Sequence, residues 1–434
     1  MKILVVGGGG REHALVRTIR RSPLVEAVLC APGNAGIARH AECVPIDPSN
    51  VAGLAALASS RGIDLTVVGP ELPLTLGIRK EFERRHLALF GPSRAAAEIE
   101  SSKAFSKQFM RRNGIPTGDF EIFRSSREAR SYLRGGSARY PLVVKADGLA
   151  AGKGVVICRD PDEGAAAVDA MMDRRVHGSA GEQVVVEEFL EGREASFFVI
   201  TDGDRIVPLA ACQDYKRVGE GDAGPNTGGM GAYSPNVHLS EVVFGEVMDR
   251  IIDRTIAGLS REGRPYQGLL YAGLMLTEDG PRVLEYNARF GDPETQALLP
   301  RMESDLVPLL AAAASSRLEK TEVSWRSERS VSVVIAAAGY PGAIRKGMPI
   351  RGIDAAESVE GVTVSCAGVS AGPGSELLVA GGRVLTVTAL GRDLEEAIGR
   401  AYDGAGRISF EGMQYRRDIA RDAVAAGSAA RRDL

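Results

Sequence analysis

One run of the chain, VLEYNARFGDPETQ (Val283–Gln296), carries residue types that could do chemistry at a spacing that would let them do it together. In an extended strand successive side chains alternate between faces. Glu285, Asn287 and Arg289 would therefore share one face, and Tyr286 and Ala288 the other. A face with a carboxylate, an amide oxygen and a guanidinium does not pack into an apolar core. Glu285 and Asn287 offer hard oxygens of the kind Mg²⁺ takes, a cation usually held by one or two protein ligands and completed by substrate phosphates. Arg289 can clamp a carboxylate or a phosphoryl group through paired N–H donors. The apolar Val283 and Leu284 before this face, and the tight GDPE turn after it, argue against a solvated ion pair.

Other runs could complete such a site. VVKADGLAAGKGVVI (Val143–Ile157) is not a Walker A loop, because Lys153 is followed by Gly154 and a strand rather than by Ser or Thr and a helix. It reads as a glycine-rich hairpin able to move and to present amides to phosphate oxygens. Lys145, on the strand before it and amid apolar neighbours, needs a partner, and a nucleotide phosphate is one. VVVEEFLEGREAS (Val184–Ser196) runs from a buried strand into Glu187, Glu188, Phe189, Leu190 and Glu194. Such a segment could give backbone groups to an adenine edge, an apolar wall to its face and a carboxylate to ribose hydroxyls; an acidic edge strand is the plainer alternative. GPNTGGMGAYSP (Gly224–Pro235) has a mixture that suits neither helix nor strand, and its glycines would let backbone approach a ligand closely.

The elements that must hold these residues follow from periodicity and punctuation. Short apolar strands at Lys2–Val6, Ala27–Cys30, Leu65–Val68 and Leu87–Phe90 alternate with helices at Arg11–Arg21, Val51–Ser60 and Leu74–Arg85. This is the pattern of a doubly wound parallel α/β domain, whose ligands lie at the strand C-termini. Those ends carry GGGG (Gly7–Gly10), APGN, GPE (Gly69–Glu71) and GPS. GGGG is not a dinucleotide fingerprint, since the required third glycine is replaced by Glu12 or His13. Farther on, hairpins are predicted at Ala195–Ile200 with Arg205–Ala211 and at Gly268–Leu276 with Arg282–Asn287. A last domain begins near Trp325, with strands at Val331–Ala337, Val362–Cys366 and Val384–Ala389 and a helix at Leu394–Tyr402.

The totals bound the function. A chain of 434 residues predicts more than one domain. A net charge of -3 leaves no basic excess for nucleic acid or an anionic membrane, and no apolar run reaches the roughly 18 residues of a membrane helix. The five cysteines never form CxxC, against a zinc site or a disulfide framework and in favour of a reduced, cytoplasmic setting. The 52 glycines are about 12% of the chain against an average near 7%, which directs attention to the loops above.

Together with GGGGREHAL, GPELPLTLG, SKAFSKQFM, KADGLAAGKGV, EEFLEGREAS, DYKR, GDAGPNTGGMGAYSP and EYNARFGDPETQ, these motifs resemble the phosphoribosylamine–glycine ligase (glycinamide ribonucleotide synthetase) family of ATP-grasp enzymes. The resemblance runs from Met1 to beyond Gly382 in the family's order. Departures are Cys366-Ala367-Gly368-Val369 where many relatives have His-Ala-Gly-Thr, and Tyr215 where His is frequent.

The resemblance implies three parts: an N-terminal α/β domain (1–101) that binds substrate, a central ATP-grasp domain (102–326) with a mobile lid (about 120–190), and a small mixed α/β C-terminal domain (327–434). It implies ATP-dependent joining of 5-phosphoribosylamine to glycine through glycyl phosphate, the second step of purine biosynthesis. It assigns the ATP site to Lys103, Lys145, Asp147, Gly148, Gly152, Lys153, Gly154, Glu187, Glu188, Phe189, Leu190 and Glu194. Mg²⁺ or Mn²⁺ would be held by Glu285 and Asn287. Arg289, Asp214 and Lys216 would be catalytic. Gly9, Asn226, Thr227, Gly228, Gly229, Arg289 and Asp292 would bind substrate. The expected partners are small molecules only, and the expected state is a monomer.

Overall fold

The computed structural model describes residues 1–149, 154–319, 322–374 and 376–430. The glycine-hairpin residues Gly152 and Lys153 lie outside the described residues.

Five strands, β1 (Lys2–Gly7), β2 (Ala27–Pro32), β3 (Glu42–Cys43), β4 (Leu65–Val68) and β5 (Leu89–Phe90), form a parallel sheet in the order β3-β2-β1-β4-β5. The strands are short because both faces are covered: Ile3 to Val6 are all fully buried. The chain runs outward on one side of β1 and then returns to its other side at β4. The crevice beside β1 and β4 is therefore the switch point where such sheets bind ligands. Gly7–Gly10 leaves β1 there and Gly69–Glu71 leaves β4. The helix expected over Leu74–Arg85 is two short ones, Glu71–Thr75 and Ile78–Glu83, because Gly77 takes a left-handed φ of 85° between them.

The stretch expected to be a lid forms an antiparallel sheet of β6 (Phe120–Phe123), β7 (Leu142–Ala146), β8 (Val155–Cys158) and β9 (Val184–Glu188), in the order β6-β9-β7-β8. It has its own small core around Leu133, Val144, Met171 and Val186. The main sheet of the central region holds β10 (Arg193–Thr201), β11 (Ile206–Pro208), β16 (Gly268–Thr277) and β17 (Gly280–Asn287), in the order β11-β10-β16-β17, and both predicted hairpins are present in it. Its core is continuous with that of the first domain: Leu4, Phe82, Phe109, Phe197 and Tyr286 belong to one buried cluster.

Between these hairpins lie β12 (Gln213–Asp214), β13 (Arg217–Gly219), β14 (Ala223–Asn226) and β15 (Gly231–Ser234). Gly224–Pro235 is thus not shapeless, contrary to its composition. Its first residues pair with β13 and its last with β12. Gly224 and Gly229 take the left-handed φ values of 81° and 110° that the turns require, and the small Gly231 and Ala232 with the fully buried Tyr233 fill the strand.

Strand β15 then pairs with β18 (Arg329–Ala336) of the C-terminal region. With β20 (Val362–Cys366) and β23 (Arg383–Gly391) they make one antiparallel sheet, β12-β15-β18-β23-β20, packed on the helix Leu394–Arg407, while β19 (Pro349–Ile350), β21 (Val369–Ala371) and β22 (Leu377–Val379) form a small separate sheet. Among the described residues no helix is long and apolar enough to cross a membrane.

Candidate active site

A cavity of about 700 Å³ opens where the three regions meet. Lysines from the lid side and from the helix Lys103–Arg112 face the polar side of β17 across it.

The lysines are organised by one carboxylate. Glu187, from β9, accepts from Lys107 Nζ at 2.8 Å and from Lys145 Nζ at 2.9 Å. All three are nearly inaccessible, at 5%, 2% and 6% exposure respectively. Burial would raise the Glu187 carboxyl, but the two ammonium groups outweigh it and hold it below the usual range. Lys145 also donates to the Leu284 carbonyl of β17 at 3.2 Å, and Lys107 to Thr117 Oγ1 at 2.7 Å. Lys103 donates to the Gly148 carbonyl at 2.9 Å, and burial lowers its pKa.

On the opposite wall the strand alternation of β17 is as expected: Tyr286 and Ala288 are buried while Glu285, Asn287 and Arg289 turn to the cavity. Arg289 sits in a cage. Its Nε donates to Glu71 at 3.2 Å, one terminal nitrogen to Glu100 at 3.1 Å and to Asn287 Oδ1 at 3.1 Å, and the other to the Phe290 carbonyl. Burial works against its charge, but Glu100 and Glu71 hold the guanidinium protonated far above its usual range. Burial leaves the Glu100 carboxyl raised, whereas Arg289 and Arg11 overcome burial at Glu71 and keep it low.

A third group lies on β12 and just beyond. Burial together with Glu294, Glu194 and Glu285 pushes the Asp214 carboxyl up to about 8, Lys216 alone opposing. Lys216 Nζ donates to Glu194 Oε2 at 2.8 Å. Burial would deprotonate Lys216, but Asp214, Glu194 and Glu285 hold it charged.

Family profiles described as phosphoribosylglycinamide synthetase match three successive stretches: the N domain over residues 1–100, the ATP-grasp (A) domain over 101–295 and the C domain over 330–422. The chain belongs to the phosphoribosylglycinamide synthetase family. A phosphoribosylamine–glycine ligase of Caldanaerobacter subterraneus is 48% identical over 97% of this chain and 99% of its own. One of Agrobacterium fabrum is 47% identical over 98% of this chain and 99% of its own. The crystal structure of the Thermotoga maritima phosphoribosylamine–glycine ligase superposes with a TM-score of 0.84 at 33% identity, over 96% of this chain and all of that one. A biotin carboxylase of Campylobacter jejuni shares the fold, with a TM-score of 0.72 at 15% identity.

ATP-grasp ligases of this kind use ATP with divalent metal ions, and the residues present fit such an ion. Among the described residues Glu285 accepts no hydrogen bond and joins no ion pair, although Lys216, Lys145, Lys103 and Arg289 overcome burial and keep it ionised. A carboxylate held charged and left unbonded beside an amide oxygen is a fitting half-shell for a hard cation. No cluster of three or more His, Cys, Asp or Glu ligands exists among the described residues, so phosphate oxygens and water would supply the remaining ligands.

The other residues that a phosphoribosylglycinamide synthetase pattern singles out fall into two groups. Gly148, Gly154, Glu188, Phe189, Leu190, Glu194, Asn226, Gly228 and Asp292 line the cavity. Four others are turned to different tasks, among them Gly229, which is not in the cavity lining and whose amide donates to Thr227 Oγ1. The Asp147 carboxylate accepts from the Ala104 amide, Ser102 and Gln183, so it caps the helix Lys103–Arg112 and anchors the glycine hairpin. The Gly9 amide donates to Glu12 Oε2 at 2.6 Å, so it is taken up by the N3 carboxylate of the helix it caps rather than facing a ligand. Thr227 lines the cavity, but its hydroxyl is committed to its own turn, donating to the Lys216 carbonyl and accepting from the Gly229 amide.

Glu71, Glu100, Lys107, Arg11 and Arg383 also belong to the site, and the motif reading missed them. Glu71 closes a strand-end GPE turn, and Arg11 and Lys107 lie within the quoted runs GGGGREHAL and SKAFSKQFM, but nothing in those runs singled them out. Arg11, Glu100 and Lys107 come from helices and Arg383 from a distant strand, and their placement at the site depends on tertiary contact.

Proposed function

We propose that this chain joins 5-phosphoribosylamine to glycine with cleavage of ATP to ADP and phosphate, giving glycinamide ribonucleotide, as its phosphoribosylamine–glycine ligase relatives are named for doing. The observation that supports it most is the facing arrangement of Lys103 and Lys145 against Glu285, Asn287 and Arg289 across one cavity.

In this reading Lys103 and Lys145 bind the ATP phosphates, and Phe189 and Leu190 wall the adenine. Gly148, Gly152, Lys153 and Gly154 of the lid hairpin close over the phosphates, with Asp147 as their anchor. Glu187 keeps the lysines aligned, and Glu188 and Glu194 border the nucleoside. Mg²⁺ or Mn²⁺ would be held by Glu285 and Asn287 and would supply neutralisation of the phosphate oxygens.

Arg289 receives the glycine carboxylate. One carboxylate oxygen attacks the γ-phosphorus and ADP leaves, so that glycyl phosphate forms. The amine of phosphoribosylamine then attacks the acyl carbon and phosphate leaves. Asp214 takes the proton that the amine loses, and Lys216, Asn226, Gly228, Gly229 and Asp292 hold that substrate.

The cations answer a specific cost. Two like unit charges 4 Å apart repel by about 4 kcal/mol at an effective dielectric near 20, and a carboxylate approaching a triphosphate meets several. Phosphoryl transfer needs this positioning and charge compensation rather than a protein nucleophile. Closure of the lid over residues 120–190 would keep water from the acyl phosphate. We take the division 1–101, 102–326 and 327–434, a monomeric state and a cytoplasmic location as parts of the same reading.

The test is phosphate release from ATP. It is expected only when glycine and phosphoribosylamine are both present. Equal release with bicarbonate or formate in place of glycine would assign the chain to a different ATP-dependent ligation.

A further inference from the structure

Arg383 begins β23 in the C-terminal region, yet its guanidinium lies in the wall of the active cavity. It is tied there by four groups. One terminal nitrogen donates to the backbone carbonyls of Gly228, of Gly229 (3.4 Å) and of Asp292 (2.6 Å). The other pairs with Asp292 Oδ2 at 3.3 Å. The remaining Asp292 oxygen, Oδ1, accepts from Gln296 Nε2 at 2.8 Å. Both oxygens of the carboxylate are thus fixed separately. Burial would raise the Asp292 carboxyl, but Arg383 and Arg11 overcome it and keep it ionised.

The geometry makes this guanidinium a junction. Gly228 and Gly229 are the turn between β14 and β15, and Asp292 follows the metal-facing strand β17. The turn is tight against that segment: a methyl group on Gly229 would lie 2.5 Å from Pro293 Cδ. Asp292 also reaches the first domain, since a methyl group on Gly9 would stand 3.6 Å from Asp292 Oδ2. A second residue of the C-terminal region assists, with the Tyr340 hydroxyl accepting from the Gly228 amide at 3.0 Å. The segments that the proposed function gives to phosphoribosylamine therefore meet at one planar cation with several directed donors, a geometry Lys does not reproduce.

We infer that Arg383 is a positioning residue for the phosphoribosylamine half of the site: it sets the Gly228–Gly229 backbone and the Asp292 carboxylate in register with the Gly7–Gly10 loop. This rests on the proposed function. It predicts a selective defect, because among the described residues the groups around ATP and the metal (Lys103, Lys145, Glu187, Glu285) share no hydrogen bond or ion pair with Arg383.

The experiment is calorimetric binding of glycinamide ribonucleotide and, separately, of a non-hydrolysable ATP analogue with Mg²⁺, to the full chain and to its R383A and R383K variants. R383A is expected to weaken the ribonucleotide at least tenfold and the ATP analogue less than threefold. R383K should recover part of the loss by restoring the Asp292 pair but not the carbonyl contacts. Guanidinium ion added to R383A should tighten ribonucleotide binding again. Equal weakening of both ligands in R383A and R383K, with no guanidinium rescue, would reduce Arg383 to a structural residue and overturn the inference. So would wild-type affinity in R383A. Should R383A not fold, R383K decides alone by the ratio of its two losses. If the wild-type chain itself does not bind the ribonucleotide, it is the proposed function that fails, together with the inference built on it.

Discussion

Among the described residues Glu285 is a cavity carboxylate kept charged by surrounding cations and yet left without a bonded partner. Glu285→Gln keeps its shape and removes its charge. Turnover is expected to fall by about two orders of magnitude or more and the Mg²⁺ requirement to rise, with the melting temperature shifted by only a few degrees. Activity retained at saturating Mg²⁺ would remove Glu285 from the metal site. Lys107 makes a contrasting case, because its work is done on Glu187 rather than on a ligand. Lys107→Met leaves the buried carboxylate with Lys145 alone, and one Glu187 oxygen already lacks a partner. A loss of about 3 kcal/mol in urea unfolding is expected, with a raised KM for ATP as Lys145 is drawn further to Glu187. His13 should be visible in the pH dependence of stability. Burial first, then His40 and nearby arginines, lower its pKa to about 3, and its Nδ1 accepts from the Cys366 amide at 2.7 Å. Below about pH 6.5 the unfolded chain takes a proton that the folded chain refuses. Stability present above that pH is therefore lost as pH falls toward 3, at up to about 1.4 kcal/mol per pH unit. Between pH 7 and pH 5 the wild type should lose about 2 kcal/mol more than His13→Asn. Parallel losses in the two proteins would show that His13 is not held neutral.

At the scale of elements, the hairpin of β13 and β14 is held from outside by the segment that follows the last long helix. Arg416, 2% exposed, pairs with Asp222 and Asp418 at 2.7 Å and donates to the Arg217 carbonyl. The Arg417 amide donates to Glu220, and the Gly221 amide to Asp418. Arg416→Met should speed hydrogen exchange across 217–226 by at least tenfold while leaving the lid unchanged. Uniform acceleration throughout the chain would point to global destabilisation instead. Much of the fold could be read ahead of the coordinates where apolar periodicity and turn residues agree, as in β1, β4 and the hairpin of β16 with β17. The polar face of Glu285, Asn287 and Arg289 was legible for the same reason: strand alternation is a local property. The strands of Gly224–Pro235 were not, because their partners are β12, β13 and β18 and nothing local announces that pairing. Glu100 and Lys107 escaped notice because a charged residue in an amphipathic helix reads as solvated until another domain covers it.

The whole molecule does not divide cleanly at the end of its ATP-grasp part. Strands β12 and β15 lie before residue 235, but the sheet they belong to is completed by β18, β23 and β20, after residue 328. A chain ending at residue 326 would expose the edge of β15, with its fully buried Tyr233, and lose Arg383 from the cavity. Such a truncation is expected to aggregate or to lack a cooperative unfolding transition, which circular dichroism and size-exclusion chromatography would reveal. A soluble, cooperatively melting fragment would show that the shared sheet is dispensable. The same sheet imposes a schedule on the ribosome. At roughly 5–20 residues per second, the 102 residues from the end of β15 at 234 to the end of β18 at 336 take roughly 5–20 s to synthesise. For that interval the nascent chain carries β15 paired only with β12, its other edge open beside a finished N-terminal domain.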